Sequence, residues 1–116
     1  MKDAYQGDSN AQLQIGVCYA NGYGVEQNYT EAVTWFQKSA EQGNAESQCL
    51  LGICYGMGYG VDKDLILACM WLNVAIENGY SDAITIVDKY TVMMIPEEIT
   101  ELQRLMAEPI SERKRA

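Results

Sequence analysis

Gly16-Val17-Cys18-Tyr19 returns 36 residues later as Gly52-Ile53-Cys54-Tyr55, and Gly22-Tyr23-Gly24-Val25 returns as Gly58-Tyr59-Gly60-Val61. The shift carries further, because Ala32 and Trp35 reappear as Ala68 and Trp71. Between residues 7–42 and 43–78, 12 of 36 positions are identical. A fixed period of this length marks a solenoid, in which each unit is one supersecondary motif that buries its apolar face against its neighbours. The 116-residue chain is one domain by length.

Within each unit the apolar spacing is helical. Ala11, Ile15 and Tyr19 fall four apart and make one stripe, which Leu13 and Val17 broaden. Asp8 or Ser9 can cap this helix at its start, and Gly22 ends it by taking the left-handed conformation without a Cβ clash. Asn28-Tyr29-Thr30-Glu31 then has capping-box form and opens a second helix. Tyr29, Ala32, Val33, Phe36 and Ala40 line one face, Trp35 lies beside that stripe and Gly43 stops the helix. The next unit repeats the plan with Asp64 as cap, Leu65, Ala68, Cys69, Leu72 and Ile76 as the stripe, Trp71 beside it and Gly79 as the stop. Gly16 and Gly52 lie inside helices, where glycine costs about 1 kcal/mol against alanine. The repeated cost predicts close approach of the paired helix at both positions.

A third unit begins and fails. Gly79-Tyr80-Ser81-Asp82-Ala83 keeps the register, but Asp88 stands where the period asks for glycine and Thr91 where it asks for tyrosine. Ile95-Pro96-Glu97-Glu98 starts a different helix, with proline suited to the first turn and acids suited to the positive end of the helix dipole. Ile99, Leu102, Leu105 and Met106 form its apolar face, which reads as a cap on the stack. The expected plan is therefore all-α: repeats at 7–42 and 43–78, a partial repeat at 79–94, a capping helix at 95–107 and a frayed tail at 108–116. Only residues 1–6 precede the first helix, so the N-terminal end is expected to be uncovered. It would then meet a partner, meet a second copy, or have been cut from a longer array.

Composition narrows the function classes. The net charge is −8, and residues 1–110 hold 15 acids against 5 bases. Such a surface repels phosphate backbones and argues against nucleic acid, while it favours a basic protein partner through steering. No apolar run approaches the roughly 20 residues that a membrane span needs. No signal core opens the chain, so a cytoplasmic location is expected, unless a signal peptide has been removed. Cys18, Cys49, Cys54 and Cys69 lack metal-type spacing and the chain has no histidine, so no metal site is expected and the thiols read as small buried groups. Gly56-Met57-Gly58-Tyr59-Gly60 is not a phosphate-binding loop, since no G-x-G-x-x-G or following Lys-Ser/Thr is present. No catalytic residues and no cofactor are expected.

The spaced positions resemble the Sel-one-like repeat, a relative of the tetratricopeptide repeat. Gly7, Ala11, Gln12, Gly16, Tyr19, Gly22, Gly24, Val25, Ala32, Trp35, Ala40 and Gly43 carry the likeness in the first unit. In the second it rests on Gln48, Leu51, Gly52, Tyr55, Gly58, Gly60, Val61, Asp64, Ala68, Trp71, Ala75 and Gly79. The resemblance implies a right-handed superhelical solenoid of antiparallel helix pairs, with first helices on the concave face. It also implies an adaptor or scaffold role in protein complexes, often bacterial. The positions that the pattern leaves free on the first helices are then the candidate partner-binding residues. They are Asn10, Gln14, Val17 and Asn21 in the first unit, Glu46, Leu50, Ile53 and Met57 in the second, and Asp82, Ile86, Lys89 and Met93 in the third. Leu50, Met57, Ile86 and Met93 would either form an apolar patch of the kind helix-in-groove binders use or be buried against the last helix. Alternatives to the adaptor reading are an immunity or inhibitor protein that neutralises a toxin or effector enzyme, and a glycan hydrolase. The hydrolase would need two carboxylates about 5–10 Å apart across one cleft.

Overall fold

The computed structural model describes residues 7–108, which contain six helices and no strand. They are α1 (Ser9–Asn21), α2 (Tyr29–Glu41), α3 (Ala45–Met57), α4 (Leu65–Glu77), α5 (Ala83–Val92) and α6 (Pro96–Met106). The first four are each 13 residues long, and α3 and α4 start 36 residues after α1 and α2. The sequence period is thus a structural period at single-residue resolution. The tail expected from residue 108 onward lies, apart from Glu108, outside the described residues, as do residues 1–6.

Each boundary has a local cause. Asp8, Asn28, Asn44 and Asp64 hold extended backbone and accept, through their side chains, the N–H of the residue three further on, at 2.9–3.1 Å. Caps of this kind stabilise a helix by about 1 kcal/mol each. Of the two candidates at the first helix, Asp8 is the cap. Gly22 and Gly58 end α1 and α3 at φ 72° and 73°. The loops that follow close on the helices they leave, since Tyr19 and Tyr55 accept the N–H of Asn28 and Asp64 on their carbonyls, both at 2.9 Å. In α6, Pro96 opens the first turn and Glu98 accepts the Ile95 N–H at 3.0 Å.

Helices pack mainly on their chain neighbours: α1 on α2, α2 on α3, α3 on α4 and α4 on α5. The core is accordingly divided into consecutive parcels. Leu13, Ala32, Val33, Phe36, Ala40, Leu51 and Cys54 fill the space among α1, α2 and α3. Cys49, Leu65, Ala68, Cys69, Leu72 and Tyr90 belong to the next parcel, which α6 joins through Leu102 and Leu105. Trp35, read from the sequence as flanking the buried stripe, is itself buried against Ile15.

The two helix-interior glycines are points of close approach. A Cβ on Gly52 would lie 2.8 Å from Leu72 Cγ and 2.9 Å from the Ala68 carbonyl oxygen. A Cβ on Gly16 would lie 2.6 Å from the Phe36 ring and 3.3 Å from the Ala32 carbonyl oxygen. The register-equivalent Asp88 is exposed, because α6 packs on α4 and no second helix presses on α5 as α4 presses on α3. That placement leaves Ile84 and Val92 on the outer face of α5 exposed, and Ile99 of α6 exposed as well. Tyr90 is buried in α5 and lies over Gly56, where even a methyl group would overlap its ring.

Helices are also joined by a polar seam, within units and between them. The Ser39 hydroxyl donates to the Ser9 carbonyl oxygen at 2.8 Å and lies 2.6 Å from the Ser47 hydroxyl, with both serines fully buried. Gln42 Nε2 donates to Gln12 Oε1 at 2.7 Å, and one period later Asn78 Nδ2 donates to Gln48 Oε1 at 3.0 Å. Gln48 Nε2 also donates to the Ala40 carbonyl oxygen at 3.1 Å. Among the described residues no buried side-chain nitrogen or oxygen lacks a partner. The seam therefore fixes the register between helices without a desolvation penalty left open.

Gly52→Ala is expected to lower the melting temperature by several degrees. Overpacking of about 1–3 kcal/mol outweighs the roughly 1 kcal/mol gain in helix propensity, and backbone is among the atoms in the way. Gly16→Ala meets mainly the Phe36 ring and should cost less. Thermal melts of both variants check the order, and an unchanged melting temperature for Gly52→Ala would contradict close packing at that site.

Candidate partner-binding surface

The twelve candidate positions form three columns, one along each of α1, α3 and α5, with Asp82 and Met93 at the two ends of α5. None of the twelve is buried. Their roles differ. Asn10 Oδ1 accepts from Asn44 Nδ2 at 3.0 Å, so it ties α1 to the cap of α3. Asn21 donates back to the Val17 carbonyl oxygen at 2.9 Å. Val17 and Leu50 pack against the first core parcel, and Ile53 and Ile86 pack against the second. Gln14, Glu46, Met57, Asp82, Lys89 and Met93 are exposed.

The columns are chemically graded. At their N-terminal ends stand Glu46 and Asp82, one period apart. Both carboxylates add to burial in raising the Cys49 thiol. At the C-terminal ends stand Met57 and Met93, also one period apart, and 50% and 49% exposed. In the first unit the same two positions are Asn10 and Asn21. The surface over α3 and α5 thus runs from an acidic end to an end with two unbranched, adaptable thioethers.

A separate groove lies between α2 and α4, above α3. It encloses about 540 Å³ and is lined by Ala40, Tyr55, Leu67, Met70, Trp71 and Val74, with Gln37, Glu41, Gln48 and Asn78 among its polar lining residues. None of the twelve candidates lines it. The sequence carried one signal for it. Trp35 is covered by Lys38, whose Nζ sits 4.5 Å from the ring centroid, but the residue one period after Lys38 is Val74. Among the described residues, Trp71 is therefore left in the groove wall without a cation over its face.

The cysteines are all free thiols. Burial pushes the thiols of Cys54 and Cys69 up to about 11. Cys49 is raised to about 11 by burial first, then by Asp82 and Glu46. Tyr90 is raised chiefly by burial as well. No group of three or more His, Cys, Asp or Glu able to hold a metal ion occurs among the described residues. No described helix is long and apolar enough to cross a membrane.

The Sel1 repeat pattern matches residues 9–44 and 45–80. This chain belongs to the Sel1 repeat family. One 36-residue stretch, 31% of the chain and 7% of the relative, is 47% identical to the DAP3-binding cell death enhancer 1 of Rattus norvegicus. The fold is similar to that of a protective antigen present in uropathogenic Escherichia coli strains, described as an SLR fold. That likeness has TM-score 0.82 and 27% identity, over 86% of this chain and 22% of the antigen. It is also similar to a Sel1 repeat protein from Oxalobacter formigenes, with TM-score 0.71 and 38% identity, over 76% of this chain and 36% of that protein. The chain thus spans between 7% and 36% of the length of these relatives. Sel1 repeats are generally protein-interaction modules, which agrees with a structure whose repeated positions are spent on packing.

Cys49, Cys54 and Cys69 stay protonated near neutrality, so at pH 8 a soluble alkylating agent should modify the half-buried Cys18 before the other three. Between pH 9 and 11 the unfolded chain releases those three thiol protons while the folded chain retains them. The unfolded state then binds fewer protons, and stability falls as pH rises through that window. Urea melts from pH 8 to 10.5 should show the decline, and it should shrink in a variant carrying Cys69→Ala.

Proposed function

We propose that this Sel1 module binds a protein through the columns on α1, α3 and α5, the face that the family resemblance implies is concave. The grading of the α3 and α5 columns carries this reading. Glu46 and Asp82 at one end and Met57 and Met93 at the other suit a helical or extended segment with a basic end and an apolar end. Leu50, Ile53 and Ile86, half-buried between them, supply the floor. The net charge of −8 supports a basic partner by raising its association rate. The relative named for binding DAP3 is a further support, since a repeat of this type occurs in a protein named for a protein partner.

A module that recruits several proteins is an adaptor. One that holds a single basic enzyme in equal amounts is an inhibitor or immunity protein, and the acidic surface suits that role too. Stoichiometry of the captured complex separates the two.

Met57 and Met93 are about half exposed, so Met57→Lys with Met93→Lys should change stability by about 0.5 kcal/mol or less per site. The double variant should lose at least tenfold in affinity for the partner retained by the native chain, read by immobilised-protein capture and isothermal titration. Glu46→Lys with Asp82→Lys should mainly slow association and flatten its salt dependence. Unfolding of the methionine variant would place these residues in the core. Unchanged affinity in both variants would move the binding face elsewhere, the groove at Trp71 being the next candidate.

A further inference from the structure

One face of α4 differs from its counterpart on α2 in a consistent way. Glu31, Thr34 and Lys38 are exposed on α2, and one period later the same positions of α4 are Leu67, Met70 and Val74. Trp35 is kept as Trp71. Positions 67, 70, 71 and 74 follow helical spacing, so they share a face. Met70 is buried in the parcel that α6 closes. Leu67, Trp71 and Val74 are half-buried and form one wall of the groove of about 540 Å³ between α2 and α4. The α2 side of the groove presents Gln37 and Glu41.

Two observations define what this groove fits. The first is charge. Among the described residues, Glu41 is the one charged side chain in the lining and has no ion pair. Its Oε2 accepts from Gln37 Nε2 at 3.2 Å, so a neighbour that also lines the groove orients the carboxylate. The second is a precedent within the chain. On α2 the Lys38 Nζ sits 4.5 Å from the centroid of the Trp35 ring. On α4 the lysine is exchanged for Val74 while the ring is retained. A cation is thus what tryptophan takes at this register in the first unit. In the second unit the described residues supply none.

From this we infer that the groove between α2 and α4 seats a basic side chain of a protein partner, arginine by preference. Its methylenes lie along Leu67 and Val74, its charged head covers the Trp71 indole, and Glu41 is the counter-charge. Long cationic side chains bury their stems on apolar surface in this way. Tryptophan is the best aromatic seat for a cation. A guanidinium both stacks on an aromatic plane and pairs a carboxylate through two bonds, which favours arginine over lysine. A wholly apolar segment would bring nothing to Glu41. None of the twelve column residues lines the groove, so this is a second surface, and it stands apart from the reading of the columns as a partner site.

The test is a titration of the full chain with N-acetyl-arginine amide, read on the two indole N–H signals by NMR, with Trp71→Phe assigning them. N-acetyl-citrulline amide, similar in shape but uncharged, is the control. The Trp71 signal should shift saturably with the arginine compound and respond at least fivefold more weakly to citrulline, while the signal of Trp35, already covered by Lys38, stays in place. Val74→Lys restores the lysine of the first unit and fills the site from within. It should weaken arginine binding at least fivefold, whereas Val74→Met should leave it within twofold. Glu41→Gln, at an exposed position, should weaken binding at least threefold, and it decides the matter if Val74→Lys does not fold. No saturable shift at Trp71, an equal response to citrulline, or unchanged binding in folded Val74→Lys or in Glu41→Gln overturns the proposal.

Discussion

Everything in this molecule depends on how closely the two helices of a unit can approach. At Gly52 the backbone of α3 meets Leu72 and the Ala68 carbonyl at distances that exclude a Cβ, and at Gly16 the Phe36 ring takes the same place. That contact sets the separation of α1 from α2 and of α3 from α4. The separation in turn decides which residues of a first helix are covered and which are left to solvent. With four 13-residue helices, none holds a core of its own, and isolated helices of that length are marginal in water. Stability has to come from neighbours, and the division of the core into consecutive parcels is the direct result.

The end of the array follows from releasing this constraint. Where no second helix of its own unit presses on α5 at this position, glycine confers no packing benefit and carries only its entropic cost, and Asp88 stands exposed in its place. The freed geometry is reused one turn on. The register that holds Cys18 and Cys54 holds Tyr90 in α5, and its ring fits because Gly56 offers no side chain beneath it. The helix α6 then closes the second parcel from the side of α4 through Leu102 and Leu105. Packing thus gives the molecule a direction, toward the parcel that α6 closes.

Polar contacts add register where apolar packing would allow sliding. Two apolar helix faces can shift by a turn at modest cost, but the Ser39 hydroxyl between the Ser9 carbonyl and the Ser47 hydroxyl cannot. The amide pairs Gln42 to Gln12 and Asn78 to Gln48 repeat this one period apart. These contacts were not legible in the sequence, because serine and glutamine are ordinary surface residues and their partners lie about 8 to 30 positions away. The graded surface was half legible. The register gave the twelve positions, yet whether Leu50, Ile53 and Ile86 are floor or core depended on where α6 lies. The groove at Trp71 was missed because tryptophan at that position is explained by the repeat. Only the exchange of Lys38 for Val74 leaves it open.

The sequence by itself determined the period, the helix boundaries and the family resemblance. Those rest on local chemistry: a side-chain cap three residues from its donor, a glycine able to turn left-handed, and an apolar residue every third or fourth position. The tertiary structure decided what those local rules leave open. It placed α6 on α4 and paired Tyr90 with Gly56. Each of these outcomes turns on contacts between residues far apart in the chain, so no window of sequence contains them.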